Sequence, residues 1–364
     1  MMQVRLYISS FRVKIRNVIS IGLKIIVIII SLAVTSKGLT YVLIDDTDRY
    51  SRIMIHELYN QDENIDILFL GSSHSFTSIN PKITDVGFNK NTFNAGTSGQ
   101  RLDGSYALLV EANKLYDIEE VYLELYYGLM KQTISDRVNP TEMYLISDYM
   151  KPSINKYRYI CCGTEKQHWI KGIVPSRRNW RDLFDLKYMA WVATKKGDSS
   201  YRNYDYINTE GYRYEGKGFI SEDKMLENDG LKNDVYKSIS DPAFSKDTKR
   251  WLQDIIEYCN KNGIKLVLYS TPLPKDHING IGNYDSYIKQ VDNLISQYGV
   301  EYYDFNTCKN DYFSGDNSLF KDRDHLNSLG ADIFSHLFVN VFANDQNKSD
   351  FFYPSYEEKR AFDY

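Results

Sequence analysis

The stretch Asp66–Pro81, DILFLGSSHSFTSINP, joins a short apolar run to a cluster of serines around one histidine. The run Ile65–Leu70 is apolar, partly β-branched and ended by Gly71, a pattern typical of a buried strand that runs into a tight turn. A serine in such a turn, within Ser72–Ser75, can expose its hydroxyl and its backbone N–H to the same cavity. That arrangement suits nucleophilic attack on a carbonyl group.

Four further apolar runs alternate with helical patterns along the chain. The predicted strands are Thr92–Asn94, Glu120–Tyr126, Ile264–Ser270 and Val300–Phe305, and the predicted helices include Leu102–Tyr116, the segment that ends at Asn262 and Gly263, the segment around Tyr287–Tyr298, and Ser328–Phe342. This alternation predicts an α/β fold with a parallel sheet and right-handed crossovers. Ligands of such sheets bind beyond the carboxyl ends of the strands, where both GSSHS and NAGTSG fall.

The first 44 residues predict a membrane anchor. Residues 1–24 are basic, and Ile25–Ile44 supplies the roughly 20 mostly apolar residues that a spanning helix needs. The positive-inside rule places residues 1–24 in the cytoplasm of a bacterial cell and everything after Asp45 outside the membrane. A cleaved signal peptide is the alternative, although AVTSKG is a poor cleavage site.

The remaining chain predicts one extracytoplasmic domain over residues 50–342. Residues 129–241 lose the regular pattern and are interpreted as a large insertion, and residues 343–364 as a poorly ordered tail. The net charge of −4 does not favour nucleic-acid binding. The four cysteines lack C-x-x-C spacing, so neither a metal site nor a disulfide framework is expected. The sequence also gives no reason to expect a bound cofactor.

The serine cluster needs a base, and His325 is the best candidate. It lies in FKDRDHLNSLG with Asp322 three residues before it, a spacing that lets the carboxylate hold one ring nitrogen protonated and leaves the other to accept a serine proton. Asp324 is less able to reach around, and His74 is a poor base because adjacent residues point in different directions. The other histidines lack a suggestive acidic partner or lie within the last helix: His56, His168, His277 and His336.

Three of these motifs, FLGSSHS, NAGTSG and DRDHLNSLG, resemble blocks of the SGNH (GDSL-like) serine hydrolase and acyltransferase superfamily. The similarity covers Ile65–Tyr127 and Lys261–Phe342. It implies a three-layer, flavodoxin-like parallel sheet flanked by helices. It also implies that Ser73 is the nucleophile and an oxyanion N–H donor, that Gly96 gives a second N–H, and that Asp322 and His325 complete the triad.

One block of the superfamily is missing. The third strand should be followed by G-x-N-D, whose asparagine donates to the oxyanion hole, but the chain reads VYLELYYGLM there. Asn94, Gln100 and Arg101 are nearby candidates for a substitute donor. Because losing one donor typically costs about 10²–10³ in rate, the departure leaves open a slow enzyme or one specialised for transfer.

The anchor and the resemblance together imply an acyltransferase that acts on a cell-surface polysaccharide. The expected reaction moves an acyl group, most simply acetyl, to a polysaccharide hydroxyl through an acyl-serine, with a membrane-bound O-acyltransferase as partner. The alternatives are D-alanyl transfer to teichoic acid, a carbohydrate esterase, and a non-catalytic glycan-binding scaffold.

The insertion is expected to shape the acceptor groove. Its aromatic residues suit stacking on sugar rings, and ordinary packing is the competing interpretation. The aromatic candidates are Trp169, Trp180, Trp191, Tyr201, Tyr204, Tyr206, Tyr212 and Tyr214, among which Trp169, Trp180 and Tyr212 are the preferred ones. A basic group that could meet phosphate or uronate consists of Lys171, Arg177, Arg178 and Arg181.

Overall fold

The computed structural model describes residues 2–138, 140–206, 208, 211–226, 244–343 and 347–362 of the chain. These residues form two compact units. The helix unit contains the residues up to Thr47 together with Ile173–Arg202, and the sheet unit contains Asp48–Gly172 and the residues from Asn203 onward.

The sheet unit is built on a five-stranded parallel sheet with the order β2-β1-β3-β6-β7. The strands are β1 Ile67–Leu70, β2 Thr92–Asn94, β3 Glu120–Glu124, β6 Lys265–Ser270 and β7 Glu301–Asp304, and a separate antiparallel hairpin holds β4 Tyr212–Gly216 and β5 Phe219–Glu222. If the five strands of this sheet are renumbered 1 to 5 along the chain, the order becomes 2-1-3-4-5, the doubly wound order of flavodoxin-like folds. The predicted α/β fold is therefore confirmed, with each strand within about two residues of its predicted ends.

Helices cover both faces of the sheet. The α-helices are α1 Met2–Leu43, α2 Tyr50–Leu58, α3 Ser73–Phe76, α4 Pro81–Phe88, α5 Leu102–Asn113, α6 Tyr127–Met130, α7 Thr141–Ser147, α8 Ile154–Gly163, α9 Lys166–Ile173, α10 Leu186–Gly197, α11 Ser199–Asn203, α12 Lys246–Asn262, α13 Lys275–Ile281, α14 Tyr284–Ile295, α15 Ser328–Ala343 and α16 Tyr356–Phe362. Short 3-10 helices occupy Ile134–Asp136, Pro175–Phe184, Phe305–Thr307, Asn317–Leu319 and Lys348–Asp350.

The core has two layers, one on each face of the sheet. Successive side chains of a strand point to opposite faces, so Leu68 and Leu70 of β1 join the layer that contains α5, α12 and α14, whereas Ile67 and Phe69 join the layer that contains α15. All four side chains are fully buried. This double burial explains why the run reads as continuously apolar, as expected for a parallel strand with helices on both sides.

The described part of residues 129–241, interpreted above as an insertion, is more regular than its sequence pattern indicates. These residues form α7 to α11, two 3-10 helices and the β4–β5 hairpin, and Ile173–Arg202 separates from the rest into the helix unit. Tyrosine, tryptophan and glycine lower intrinsic helix propensity, which hides short helices from a pattern search. Burial of Met143, Ile146 and Ile160 overrides that weak propensity.

The expectation of a poorly ordered tail is also wrong over residues 347–362. Phe351 and Tyr356 are buried, and the backbone N–H of Lys309 donates to the carbonyl of Phe351 at 2.9 Å. The N–H of Tyr356 donates to Asp285 at 2.7 Å, which fixes the start of α16 on α14. A few aromatic side chains that are separated along the chain hold this segment in place. Its sequence therefore shows no repeating apolar pattern from which its structure could be predicted.

The hairpin lies against the end of β2. The N–H of Asn94 donates to the carbonyl of Lys217 at 3.0 Å. Gly218 next to it has φ +81, and a Cβ there would lie 1.7 Å from the carbonyl oxygen of Asn94. Only glycine allows this close approach, which keeps the hairpin beside the residues that follow β2.

Within the helix unit, α1 contains one apolar segment, Ile19–Leu43, with a mean hydropathy of 2.3. It is the one helix of the described residues that is long and apolar enough to cross a membrane. The helix continues beyond the predicted anchor towards the N-terminus, starting at Met2.

Candidate active site

The turn after β1 aims one serine away from the core. Gly71 has φ +150, and a Cβ there would lie 2.5 Å from Cβ of Glu124, so a side chain at this position would clash with β3. Ser72 then caps α3, because its hydroxyl oxygen accepts the N–H of His74 at 3.3 Å. The next residue, Ser73, is the first residue of the helix and is half-buried.

The three serines of the turn have different partners. The N–H and the hydroxyl of Ser72 both donate to Glu124 Oε2 at 2.9 Å. The hydroxyl of Ser75 is fully buried and donates to Asn94 Oδ1 at 3.1 Å. Ser73 Oγ lies 2.8 Å from Nε2 of His325, so it is the serine that meets a base.

His325 lies in a tight loop between β7 and α15. Phe320 and Leu326 pair as an antiparallel bridge, and the N–H groups of Asp324 and His325 both donate to Asp322 Oδ1 at 2.8 Å. Both carboxylate oxygens of Asp322 lie 3.0 Å from Nδ1 of His325. A carboxylate accepts hydrogen bonds, so Nδ1 carries the proton and Nε2 is left to accept from the hydroxyl of Ser73.

The carboxyl group of Asp322 is ionised at neutral pH. Partial burial raises its pKa, but the hydrogen bond from the His325 ring and the two backbone N–H groups outweigh burial and hold the pKa well below its usual range. An ionised carboxylate is what stabilises an imidazolium when the histidine takes a proton.

His74 supports the base by stacking. Its ring lies between the ring of Tyr126, at 3.9 Å, and the ring of His325, at 4.7 Å, nearly parallel to both. Burial, with the neighbouring His325, lowers the pKa of His74 well below its ordinary value, so the ring is neutral. His74 therefore packs against the base and keeps its ring plane in place.

A second histidine–aspartate pair, which the sequence did not indicate, lies next to the first. Nδ1 of His277 lies 2.5 Å from the carbonyl oxygen of Arg323 and 3.0 Å from Asp324 Oδ1, and Nε2 is 2.6 Å from the hydroxyl of Tyr127. Tyr126 also donates to Asp324, at 3.2 Å. His277 and Asp324 are far apart in the chain and share no motif. The one feature that could have indicated the pair is that α13 starts just beyond the carboxyl end of β6, on the same sheet edge as Ser73.

The predicted oxyanion donors differ in whether their N–H groups already donate a hydrogen bond within the protein. Among the described residues no acceptor faces the N–H of Ser73. The N–H of Gly96 donates to Asn94 Oδ1 at 3.1 Å, although Gly96 lies directly against the backbone of Ser72. The amide of Asn94 donates to the carbonyls of Ser75 at 2.9 Å and Ile79 at 3.4 Å. Asn94 is thus a buried brace of the turn, with its donors in use, and does not offer a third oxyanion N–H.

Glu124, the last residue of β3, supports the turn from below. Burial raises its pKa to about 7, against the opposing effect of the two hydrogen bonds from Ser72. Its Oε1 has no hydrogen-bond partner among the described residues, which suits a carboxyl group that retains its proton. The strand that lacks the expected asparagine motif therefore contributes a buried acid beneath the nucleophile.

The predicted substrate-binding residues are spread over the molecule. Gln100 is buried between Thr97 and Ser105. Arg101 donates to the carbonyl of Thr133 at 2.7 Å and lines a separate small cavity of about 20 Å³. Trp169 lies in α9 and donates to the carbonyl of Thr164, and Trp180 belongs to the helix unit, whereas Ser73 belongs to the sheet unit.

Tyr212, another of the five predicted residues, lies beside the loop that contains Asp322 and His325. Lys321 Nζ is 5.7 Å from the centroid of its ring, and the same lysine pairs with Glu222 at 2.8 Å. Lys321 and the residues through His325 line an open recess with about 890 Å³ of space, whose other wall includes Leu226. This recess gives a ligand access to the histidine.

Comparisons with known proteins add little to this geometry. No family model matches the chain, and no curated protein matches it. A solved structure described as "a putative platelet activating factor from Streptococcus pneumonia" is similar at 13% identity and a TM-score of 0.36, over 85% of this chain and 98% of that one. Likeness at this level carries no argument about function, which therefore depends on the site itself.

Proposed function

We propose that the chain is a membrane-anchored serine acyltransferase of the SGNH type that forms an acyl-Ser73 intermediate. The observation that carries this proposal is the continuous relay from Ser73 Oγ to His325 Nε2, at 2.8 Å, and from Nδ1 to Asp322, at 3.0 Å, beside an open recess. Nucleophile, base and orienting acid in this order are the parts that acyl transfer needs.

The reaction runs in two halves. His325 takes the proton of Ser73 as Oγ attacks the carbonyl carbon of an acyl ester, and the N–H of Ser73 stabilises the oxyanion. His325 then protonates the leaving group, which departs and leaves acyl-Ser73. In the second half His325 deprotonates an acceptor hydroxyl, which attacks the acyl carbon and regenerates Ser73. If water takes the place of the acceptor, the same site is an esterase.

The resemblance of the three motifs supports the choice of substrate. It favours an acetyl group as the acyl group and a hydroxyl of a cell-surface polysaccharide as the acceptor, with D-alanyl transfer to teichoic acid as the alternative. A membrane-bound O-acyltransferase would supply the acyl group from the other side of the bilayer. No cofactor is required by this chemistry.

An activity-based probe tests the nucleophile directly. The full chain in detergent is treated with a fluorophosphonate, which modifies activated serines, and the labelled peptide is identified by mass spectrometry. We expect the label on Ser73 and its loss in Ser73→Ala, while Ser98→Ala, an exposed serine of the neighbouring loop, keeps it. Equal labelling of Ser73→Ala would refute the assignment. After incubation with an aryl acetate, the mass added to Ser73 shows whether the chain accepts acetyl.

The proposed location places α1 across a bacterial membrane with residues 1–24 inside and the sheet unit outside. Cys162 is exposed, whereas Cys259 and Cys308 are buried. A membrane-impermeant maleimide should therefore label Cys162 in intact cells, and Cys162→Ser should remove most of the label. Labelling only after lysis would place the sheet unit in the cytoplasm and contradict the proposal.

A further inference from the structure

The segment Ile173–Arg202 belongs to the same compact unit as the apolar helix α1. It contains the 3-10 helix Pro175–Phe184 and the helix α10, and both pack against α1. The segment therefore has a defined position relative to α1, which is long and apolar enough to cross a membrane.

Polar side chains of the segment cap the end of α1. The carbonyl of Leu43 accepts a hydrogen bond from Asn179 Nδ2 at 3.0 Å and from the hydroxyl of Tyr188 at 3.3 Å. The last four carbonyls of a helix have no partner within it, so these contacts satisfy a group that would be costly to leave unpaired. They fix the segment at the carboxyl end of α1.

Ion pairs just beyond α1 hold the same junction. Lys196 is 2% exposed and pairs with Asp46 at 2.7 Å, and Lys195 pairs with Asp45 at 2.8 Å. The hydroxyl of Tyr201 also donates to Asp46, at 3.1 Å. Removing one partner of a buried pair is strongly destabilising, because the other charge remains buried. The segment is therefore joined to the helix end by specific contacts.

Large apolar side chains of the segment remain uncovered. Trp180 is 53% exposed, Phe184 88%, Leu186 74% and Trp191 51%. Soluble surfaces expose single apolar residues, but a group of this size within 12 positions indicates a binding surface. The four residues, with Ile173, are called the apolar collar.

The charge of the segment identifies the partner. It carries seven basic and three acidic side chains; without Lys195 and Lys196, which pair with Asp45 and Asp46, its net charge is +2, whereas the whole chain carries −4. Arg177, Arg181 and Lys187 are exposed beside the collar residues. Exposed tryptophan, phenylalanine and leucine among basic residues is the composition of segments that lie in the headgroup region of a membrane.

The position along α1 points to the same occupant. Side chains of α1 from Ile19 to Val34 are mostly exposed, as a lipid-facing helix requires, whereas Leu43 and Ile44 are buried by the protein. The collar is thus attached where the apolar helix ends. An apolar surface that continues from a membrane-spanning helix meets the interface of the bilayer.

We propose that Ile173–Arg202 is an interfacial membrane-binding segment. The collar inserts into the headgroup and upper acyl region of an anionic bilayer, and Arg177, Arg181 and Lys187 contact lipid phosphates. Trp180 and its neighbouring arginines then bind lipid and not the acceptor sugar. The proposal depends on α1 spanning the membrane and is independent of the chemistry at Ser73.

Depth-dependent fluorescence quenching tests the proposal on the full chain in phosphatidylglycerol-containing nanodiscs. Single-tryptophan variants keep Trp180, Trp191 or Trp251, with the other three tryptophans changed to phenylalanine. Lipids that carry a nitroxide near the headgroup or deep in the acyl chain serve as quenchers. We expect shallow quenching and blue-shifted emission for Trp180 and Trp191. Trp251 lies buried in the sheet unit and is the control that should not respond.

Two variant sets separate insertion from charge. Phe184→Ser with Leu186→Ser should reduce quenching of Trp180, whereas Val86→Ser with Val138→Ser, equally exposed in the sheet unit, should not. Arg177→Gln, Arg181→Gln and Lys187→Gln together should reduce it in anionic but less in zwitterionic nanodiscs. An unchanged melting temperature shows that each variant is folded.

The proposal is overturned if Trp180 and Trp191 emit like water-exposed indoles and neither nitroxide quenches them. It is also overturned if quenching appears only after a second membrane protein is added to the nanodiscs, because the collar would then be a protein-docking surface. Shallow quenching in protein-free anionic lipid supports it.

Discussion

Two histidine–aspartate pairs lie side by side at the carboxyl edge of the sheet, and they end on different hydroxyls. In one, Asp322 orients His325 towards Ser73; in the other, Asp324 meets His277, which faces the hydroxyl of Tyr127. The side chain of His325 is 21% exposed beside the open recess, whereas that of His277 is 3% exposed.

The comparison shows that two similarly oriented histidines differ in what lies beside them. The first pair adds a nucleophile in a tight turn, a backbone N–H next to it and access for a substrate. The second pair adds a phenol whose ring packs against Tyr284 and Tyr287, and its histidine is closed off. We infer that the first pair performs chemistry and that the second holds the loop of the first in position.

Substituting each of the two histidines separately should give the largest difference between the pairs. We expect His325→Gln to lower aryl-acetate turnover by about 10⁴-fold or more, because the serine loses its base. His277→Gln should retain turnover within about tenfold and lower the melting temperature, since it disturbs buried hydrogen bonds. Fluorophosphonate labelling of Ser73 and thermal unfolding measure the two effects separately. Similar loss of labelling in both variants would abolish the distinction between the pairs.

Substituting the two aspartates should give the second-largest difference in turnover. Asp322→Asn keeps the shape but turns the orienting acceptor into a partial donor, so we expect roughly 10³–10⁴-fold slower turnover through the wrong histidine tautomer. Asp324→Asn should cost less than about tenfold. Measuring turnover over a range of pH distinguishes a tautomer defect from a shifted titration. A larger loss for Asp324→Asn would reverse the assignment.

The stack on His325 should contribute a smaller amount. Aromatic pairs are worth about 0.5–1.5 kcal/mol beyond burial, a factor of about 2 to 10 in rate if the contact holds the base in its reactive orientation. We therefore expect His74→Ala to slow turnover by that factor. His74→Phe keeps a ring between Tyr126 and His325 and should restore most of it. If phenylalanine fails to restore the rate, the nitrogens of His74 matter and stacking is the wrong explanation.

The support beneath Ser73 should affect stability more than rate. Glu124 has a pKa of about 7 in the folded chain and 4.5 as its ordinary value. Between these values the unfolded chain ionises while the folded chain keeps its proton, so the free energy of unfolding falls with rising pH, by roughly 3 kcal/mol in total. Glu124→Gln should remove this decline while keeping turnover within about tenfold.

Glu120, on the same strand, is the matched control with the opposite sign. Burial raises its pKa, but hydrogen bonds with Lys90 and Lys265 outweigh burial and lower it. Its stabilisation is present above its ordinary pKa and is lost as the pH falls. Glu120→Gln should therefore lower the free energy of unfolding at neutral pH and leave it little changed in acid. Chemical denaturation of the full chain in detergent across this pH range measures both. A flat pH profile for the native chain would contradict the raised pKa of Glu124.

Local patterns predicted much of the sheet unit. Strands such as Ile67–Leu70 and Lys265–Ser270 are short, apolar and bounded by glycine or proline, and these features depend on neighbouring residues alone. The same is true of the turn at Gly71 and of the Asp322 and His325 spacing. A strand that is buried on both faces appears in the sequence as a continuous apolar run.

Contacts between distant residues could not be predicted in this way. The group of β3 that supports the serine turn and the partner of His277 both depend on the order of strands. Tail residues such as Phe351 are held by single aromatic contacts without a period, and Ile173–Arg202 separates from the rest of its predicted insertion to join α1.

By itself, the sequence determined the α/β alternation, the apolar helix and the candidate residues Ser73, Asp322 and His325. Only the tertiary structure decided that Ser72 and Ser75 serve the fold, that Glu124 accepts both hydrogen bonds of Ser72, and that a second acid–histidine pair lies beside the first. The reason is physical: periodicity and turn chemistry arise within a few residues, whereas a side chain's partner is chosen by packing that brings together segments hundreds of positions apart.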